Sequence, residues 1–166
     1  NGQTVDDVFD VNVTAVADAP VITQGAGPLL KNVVEDTPTS WGASDLNATD
    51  SDTVASSLIW SVETNASNGT ADVNGSGASP PTFSYVPDAN FTGIDSFVVR
   101  VSDGALADTI TVDVNVTAVN DPPVITTGAT KSVNENQTSA IDVNATDADT
   151  AAGSLNWTIS GGADKD

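Results

Sequence analysis

Alternation of apolar and polar residues with a period of two runs through most of this chain. In Thr109-Ile-Thr-Val-Asp-Val-Asn-Val-Thr117 every even position is apolar and β-branched and every odd one is polar. That is the mark of a half-buried antiparallel strand. Ile94-Asp-Ser-Phe-Val-Val-Arg-Val101 predicts a central strand with Phe97, Val99 and Val101 on one face. Leu58, Trp60 and Val62 are expected to face inward, as are Leu155, Trp157 and Ile159. Turn signals separate these runs: Asn68-Gly69, Asn74-Gly75, Pro80-Pro81 and Asp103-Gly104. The pattern predicts strands near 29–34, 39–47, 57–63, 69–74, 82–86, 94–102 and 107–119, and no helix.

The same pattern recurs along the chain. Residues 11–23, VNVTAVADAPVIT, return as 114–126, VNVTAVNDPPVIT. Asp45-Leu-Asn-Ala-Thr-Asp-Ser-Asp52 returns as Asp142-Val-Asn-Ala-Thr-Asp-Ala-Asp149, and Lys31 and Glu35 return as Lys131 and Glu135. A period near one hundred residues is that of a whole domain. The expected organisation is the C-terminal strand of a preceding repeat at 1–17, a complete repeat at 18–120 and the N-terminal half of a third at 121–166. Seven short strands per unit, a Trp on the third and closely spaced turns describe an all-β, immunoglobulin-like, seven-stranded Greek-key sandwich. Trp60 and Trp157 are then core residues.

Composition narrows the functions. Asp and Glu total 23 against four Lys and Arg, a net charge of −19, which is the wrong sign for a nucleic-acid reader. Cys, Met and His are absent, so disulfides, thiolate zinc sites, Cys nucleophiles and His-dependent triads are absent too. No stretch is apolar for long enough to insert in a membrane. Twenty of the acids are Asp and only three are Glu, a bias that favours turns and hard-cation loops over simple solubility. No enzymatic activity is expected, because the Asp pairs recur with the repeat where a catalytic pair would be unique.

In an up-and-down sandwich, successive loops alternate between two poles. One pole collects Asp18, Asp50, Asp52 and Asp103. The other collects Glu35, Asp88, Asn120 and Asp121, and in an array it abuts Asp147 and Asp149 of the next unit. So many carboxylates repel unless neutralised. Ca²⁺ is the expected cofactor, since it takes about six to eight oxygens in flexible geometry, whereas Mg²⁺ demands a rigid octahedron.

Several phrases carry a resemblance: Val119-Asn-Asp-Pro-Pro123, Glu35-Asp-Thr-Pro38, Pro87-Asp-Ala-Asn-Phe-Thr-Gly-Ile-Asp-Ser-Phe97 and Val101-Ser-Asp-Gly104. Together they resemble the cadherin-like tandem repeats of large prokaryotic surface adhesins. The resemblance implies inter-domain Ca²⁺ on Glu35, Asp88, Asn120, Asp121, Asp147 and Asp149, with Asp103 serving the preceding junction. Two positions depart from the cadherin pattern. Ala118 stands where cadherins carry a further Asp, and Ala17 stands where the first linker would carry its Asn.

Ten of fourteen Asn residues begin an Asn-X-Ser/Thr acceptor: Asn12, Asn47, Asn65, Asn68, Asn74, Asn90, Asn115, Asn136, Asn144 and Asn156. Asn47, Asn115 and Asn144 are expected to point to solvent between inward neighbours. N-linked glycans would make this an extracellular or cell-surface glycoprotein, and their density suits an archaeal one. The leading reading is a structural repeat that extends and, with Ca²⁺, stiffens an adhesin or filament, its partners being neighbouring repeats or subunits. The alternative is a module that binds surface glycans or another partner, for which Trp41, Phe83 and Tyr85 are the aromatic candidates. Lys31 and Lys131 read as exposed strand lysines that blunt a sheet edge, or less readily as isopeptide donors.

Overall fold

The computed structural model describes residues 2–4, 7–128, 134, 136 and 142–158. Lys131, Glu135 and Ile159 lie outside the described residues. The chain divides into two compact units, Asn1–Val116 and Thr117–Asp166.

The first unit is all β. Its strands are β1 (Val21–Ile22), β2 (Leu29–Val34), β3 (Thr39–Ser40), β4 (Ala48–Thr49), β5 (Ile59–Thr64), β6 (Gly69–Ser76), β7 (Thr82–Pro87), β8 (Gly93–Ser102) and β9 (Ala107–Thr117). Seven of them pair in the order β2-β9-β8-β5-β6-β7-β3, and β1 pairs separately with β4. The seven-stranded run folds over itself at β6. Gly69 to Asn74 pair with β7, whereas Gly75 and Ser76 pair with Trp60 and Ile59 of β5. Gly75 makes this change of layer possible, with φ at 96° and a position where a Cβ would sit 2.2 Å from Pro81 Cγ.

The two layers enclose the core. Phe83 and Tyr85 of β7 meet Phe97 of β8 across it, edge-on at 6.5 Å and stacked at 6.1 Å between centroids. Trp60 of β5 is buried with its Nε1–H donated to Gly77 O at 2.9 Å, as expected of a core Trp. In β9, Ile110, Val112, Val114 and Val116 are all buried and the residues between them face out or lie half-buried.

The structure corrects four expectations. The strand expected at 39–47 is broken into β3 and β4, because Gly42 to Asp45 form a turn: Asp45 N–H donates to Gly42 O, and Gly42 N–H to Asp45 Oδ2. Residues 7–17 form no strand, and Val11 and Val13 are more than 80% exposed. Their image, β9, is held by residue-for-residue pairing with β8. Trp157 is 52% exposed rather than buried. Lys31 does not blunt the edge, although β2 is terminal in the strand order. It turns inward, pairs with Asp45 and lies over the rings of Trp41 (5.5 Å) and Phe83 (5.8 Å). Charge pairing and ring faces together compensate its burial.

In the second unit, β10 (Val124–Ile125) pairs with β11 (Ala145–Thr146) as β1 pairs with β4. A short 3₁₀ turn at Ala152–Ser154 matches the one at Ala55–Ser57. The sequence echo is therefore also an echo in structure.

Candidate functional site

The first pole is assembled around the loop after β4. Asp50 Oδ1 accepts the backbone N–H groups of Asp52 (3.0 Å) and Thr53 (2.9 Å), closing an Asx turn. Asp52 Oδ2 accepts the N–H of Asp18 at 3.2 Å, and Asp18 Oδ2 accepts the Ser51 hydroxyl at 2.7 Å. The structure thus brings Asp18, Asp50 and Asp52 together. Asp18 and Asp50 border an open cleft of about 430 Å³, lined also by Ala19, Val21, Thr49 and Ser51. Asp103 is held apart in its own turn, where Oδ1 accepts the N–H groups of Ala105 and Leu106, both at 2.6 Å.

The electrostatics show three acids in close quarters. The backbone N–H of Asp52 holds the Asp50 carboxyl below the usual range; burial opposes it, and the N–H of Thr53 adds to the lowering. Asp52 is pushed up, first by its hydrogen bond with Asp50 and then by the charges of Asp50 and Asp18. Asp50 Oδ2 is shielded from solvent and has no hydrogen-bond partner among the described residues.

The second unit repeats the arrangement. Asp147 Oδ1 accepts Asp149 N–H (3.0 Å) and Thr150 N–H (2.7 Å), and Asp149 Oδ2 accepts Asp121 N–H at 2.6 Å. Asn120 turns its Nδ2–H onto the carbonyl oxygen of Asp121 at 2.9 Å. Asn120, Asp121, Asp147 and Asp149 therefore share one neighbourhood.

At the other pole of the first unit, Glu35 is buried and Asp88 is exposed. Their loops are tied by Asp36, whose Oδ1 accepts the N–H of Asn90 at 3.0 Å. Both Asp36 and Asn90 are left-handed, with φ of 55° and 58°. Sequence reasoning passed over Asp36. Its signal was available in Asn136, which stands at the same place in the next copy and has φ of 63°.

Among the described residues, no group of three or more acidic side chains is arranged to hold a metal ion by itself. Most of these carboxylates are turned to backbone N–H groups. The orphaned Asp50 Oδ2 and the hard-oxygen donors of its neighbours fit Ca²⁺ chemistry, provided backbone or water oxygens complete the shell.

The acceptor asparagines divide by environment. Asn12, Asn65, Asn74, Asn90, Asn115, Asn136, Asn144 and Asn156 are exposed. Asn47 and Asn68 are half-buried. Asn47 does not point freely to solvent as expected, because its amide donates to Ser44 O and its Oδ1 accepts the Ser79 hydroxyl. Of the three aromatic candidates for sugar stacking, Phe83 and Tyr85 are buried. Trp41 lies half-buried with its ring 4.7 Å from that of Phe83.

Residues 17–117 match the family model described as Bacterial Ig domain, a domain type typical of extracellular surface proteins. No curated protein matches the chain. Among solved structures, the chain is similar to an endo-fucoidan hydrolase from glycoside hydrolase family 107, with 17% identity over 66% of this chain and a TM-score of 0.48. It is also similar to the extracellular cadherin domains 1–5 of protocadherin gamma B2 (14% identity, 78% of this chain, TM-score 0.45). A third likeness is to the titin domains z1z2 in complex with telethonin (15% identity, 68% of this chain, 55% of that one, TM-score 0.39). The chain spans 16% of the hydrolase and 26% of the protocadherin chain. No helix among the described residues is long and apolar enough to cross a membrane.

Proposed function

The chain belongs to the bacterial Ig domain family, and we propose that it is a segment of a tandem array whose role is to extend a surface adhesin or filament outside the cell, with Ca²⁺ at the junctions between repeats. The observation that carries this reading is the duplicated linker clasp. Asp18 N–H to Asp52 Oδ2 in one copy corresponds to Asp121 N–H to Asp149 Oδ2 in the next, each beside an Asx turn on Asp50 or Asp147. A spacer repeats its linkers, and each clasp ties a linker to its own unit in the same way.

Calcium would add charge neutralisation. Asp18, Asp50 and Asp52 would hold the ion at the first linker, and Asn120, Asp121, Asp147 and Asp149 at the second. Glu35, Asp88 and Asp103 complete the expected set. Ca²⁺ supplies positive charge and a flexible oxygen shell that fixes the linker to the loop after β4 or β11. The side chains position that linker whether or not the ion is bound. The reading assigns no chemistry to the domain and no stacking site for sugars, in keeping with the burial of Phe83 and Tyr85.

Thermal unfolding with Ca²⁺ and with chelator tests it. Binding to the folded state raises the midpoint by mass action, and Asp149→Ala should remove most of the increment at the second linker. Equal midpoints in the two conditions, together with equal stiffness by small-angle scattering, would reject the calcium joint.

A further inference from the structure

We propose that the Asp121–Pro122 peptide bond is a built-in scission point that separates the family domain from the repeat that follows it. This is the only Asp-Pro bond in the sequence, and it lies four residues past the end of the family match at 117, in a segment without strand structure.

Three features of the site point to cleavage. As in any Asp, attack of the Asp121 carboxylate on its own carbonyl carbon closes a five-membered ring. Pro122 has no N–H, so the ring closure through the following nitrogen that would merely isomerise Asp is forbidden. As a tertiary amide, its nitrogen is also a better proton acceptor and leaving group than a secondary one. The third feature is specific to this fold. Asn120 Nδ2–H donates to the Asp121 carbonyl oxygen at 2.9 Å, the oxygen that becomes negative when the carboxylate adds. Asp121 N–H is at the same time anchored on Asp149 Oδ2 at 2.6 Å, and Asp121 Oδ2 is shielded from solvent. Asp149, with Asp147 in the turn beside it, is the charged neighbour of this backbone; no lysine or arginine is paired with either in this unit among the described residues.

The steps balance. A carboxylate oxygen of Asp121 adds to the carbonyl carbon, and Asn120 holds the oxyanion. The Pro122 nitrogen takes a proton from hydronium, the C–N bond breaks, and Pro122 leaves as a free secondary amine. Water then opens the cyclic anhydride, restoring the side-chain carboxyl and leaving an α-carboxyl on Asp121. The net reaction is hydrolysis, with no oxidant and no metal.

The first linker is an internal control. It has the same clasp, Asp18 N–H to Asp52 Oδ2, but reads Ala17-Asp18-Ala19-Pro20. The polarising Asn is replaced by Ala17, and the bond after Asp18 leads to Ala19 rather than to proline. Only the second linker combines the two.

The test follows the full chain by intact-mass spectrometry, with chelator at about pH 5, above the ordinary carboxyl pKa, and at a temperature where circular dichroism shows the parent still folded. Masses of fragments 1–121 and 122–166 are expected, with no cut between 16 and 20. Asn120→Ala should slow the cut about tenfold, less than the roughly hundredfold of an enclosed oxyanion donor because this one is exposed to water. Pro122→Ala and Asp121→Ala should abolish it, and the same chain unfolded in urea should be cut more slowly than the folded one. An intact chain would overturn the proposal. So would an Asn120→Ala variant cut at the parent rate, or an unfolded chain cut as fast as the folded one. Chelator is present throughout, so the result stands apart from that of the calcium titration.

Discussion

The hydroxyl of Tyr85 donates to Asp95 Oδ2 at 2.8 Å, with both residues buried between the layers. Asp95 also accepts the N–H groups of Ser67 (3.1 Å), Asn68 (2.8 Å) and Ser96 (2.9 Å). One carboxylate thus fastens the β5–β6 turn to β8 and β7. Burial pushes its pKa up, but Tyr85 and the three backbone donors outweigh this and leave it lowered. Tyr85 is raised above the ordinary tyrosine range by burial and then by Asp95, so it stays a donor at every physiological pH.

Tyr85→Phe removes one donor from a buried carboxylate and is expected to cost about 1–3 kcal/mol in urea unfolding. Asp95→Ala should cost more, since it leaves several donors without an acceptor. The folded carboxyl has the lower pKa, so its contribution is present above the unfolded value and is lost as pH falls through the folded one. Stability measured downward from neutrality should therefore fall near and below pH 4, where an ordinary Asp titrates. The fall should be shallower in Asp95→Asn. A parallel pH profile for parent and variant would show that Asp95 does not carry it.

Gly69 is fixed by the same hydroxyl. A Cβ there would lie 2.4 Å from Tyr85 Oη and 2.6 Å from the carbonyl oxygen of Val86. Gly69→Ala must displace β7 or break the Tyr85–Asp95 bond, a loss of about 2 kcal/mol or more. In the double variant with Tyr85→Phe the hydroxyl clash is removed, but the ring Cζ at 2.5 Å and the Val86 carbonyl remain, so the cost should fall only in part. A cycle with no coupling would count against the shared clash.

How far these arrangements were legible depends on the distance over which each is decided. Strands β5 to β9 follow from alternation and turn residues, both local, and their positions were readable to within about two residues. The β3–β4 break was not, because Gly42 and Asp45 form a turn inside a run that still looks like a strand. Asp95 was legible in part. Alternation puts it on the inward face with Phe97, Val99 and Val101, but its partners in the turn at 67–68 come from elsewhere in the sequence, so its role as a buried hub was not readable. The Asx turns on Asp50 and Asp147 were foreseeable from Asp-X-Asp, while their clasp on Asp18 and Asp121 rests on contacts more than 25 residues apart.

Trp60 and Trp157 occupy equivalent sequence positions in opposite environments, one buried and one 52% exposed. Acrylamide should quench a red-shifted component of the fluorescence, and Trp157→Phe should remove that component. Trp60→Phe should instead lower stability by about 1–3 kcal/mol, through lost packing and an unmatched Gly77 carbonyl. If Trp157→Phe leaves the quenchable fraction unchanged, Trp157 is covered in solution.

Asn115 is exposed on β9, and Asn144 is exposed beside β11. A glycan on either leaves the core untouched, although Asn115 would give up its contact with Asn32 Oδ1. Glycopeptides covering both are expected from natively isolated protein. Asn47 should be bare, since its amide is engaged on Ser44 and Ser79. Occupied Asn47 with bare Asn115 would reverse this assignment.

Asp50 and Asp52 respond to protons in opposite directions, which allows the first linker to be probed without a second protein unit. Asp50 is lowered by backbone donors, so its stabilising share is present above the unfolded pKa and fades as pH falls. Asp52 is raised, first by its hydrogen bond with Asp50 and then by repulsion from Asp50 and Asp18. Its ionisation therefore opposes folding, and that opposition grows as pH rises through its folded value. Asp52→Asn removes the charge and keeps a carbonyl oxygen for the Asp18 N–H. In chelator at neutral pH the variant should melt no lower than the parent, and at higher ionic strength the difference should shrink as screening weakens the repulsion. With Ca²⁺ the order should reverse, because the parent gains a ligand charge that the variant lacks. A variant that melts lower than the parent in chelator would mean that the Asp52 charge is not repulsive in the apo fold, and one that gains as much from Ca²⁺ would remove Asp52 from the ligand set.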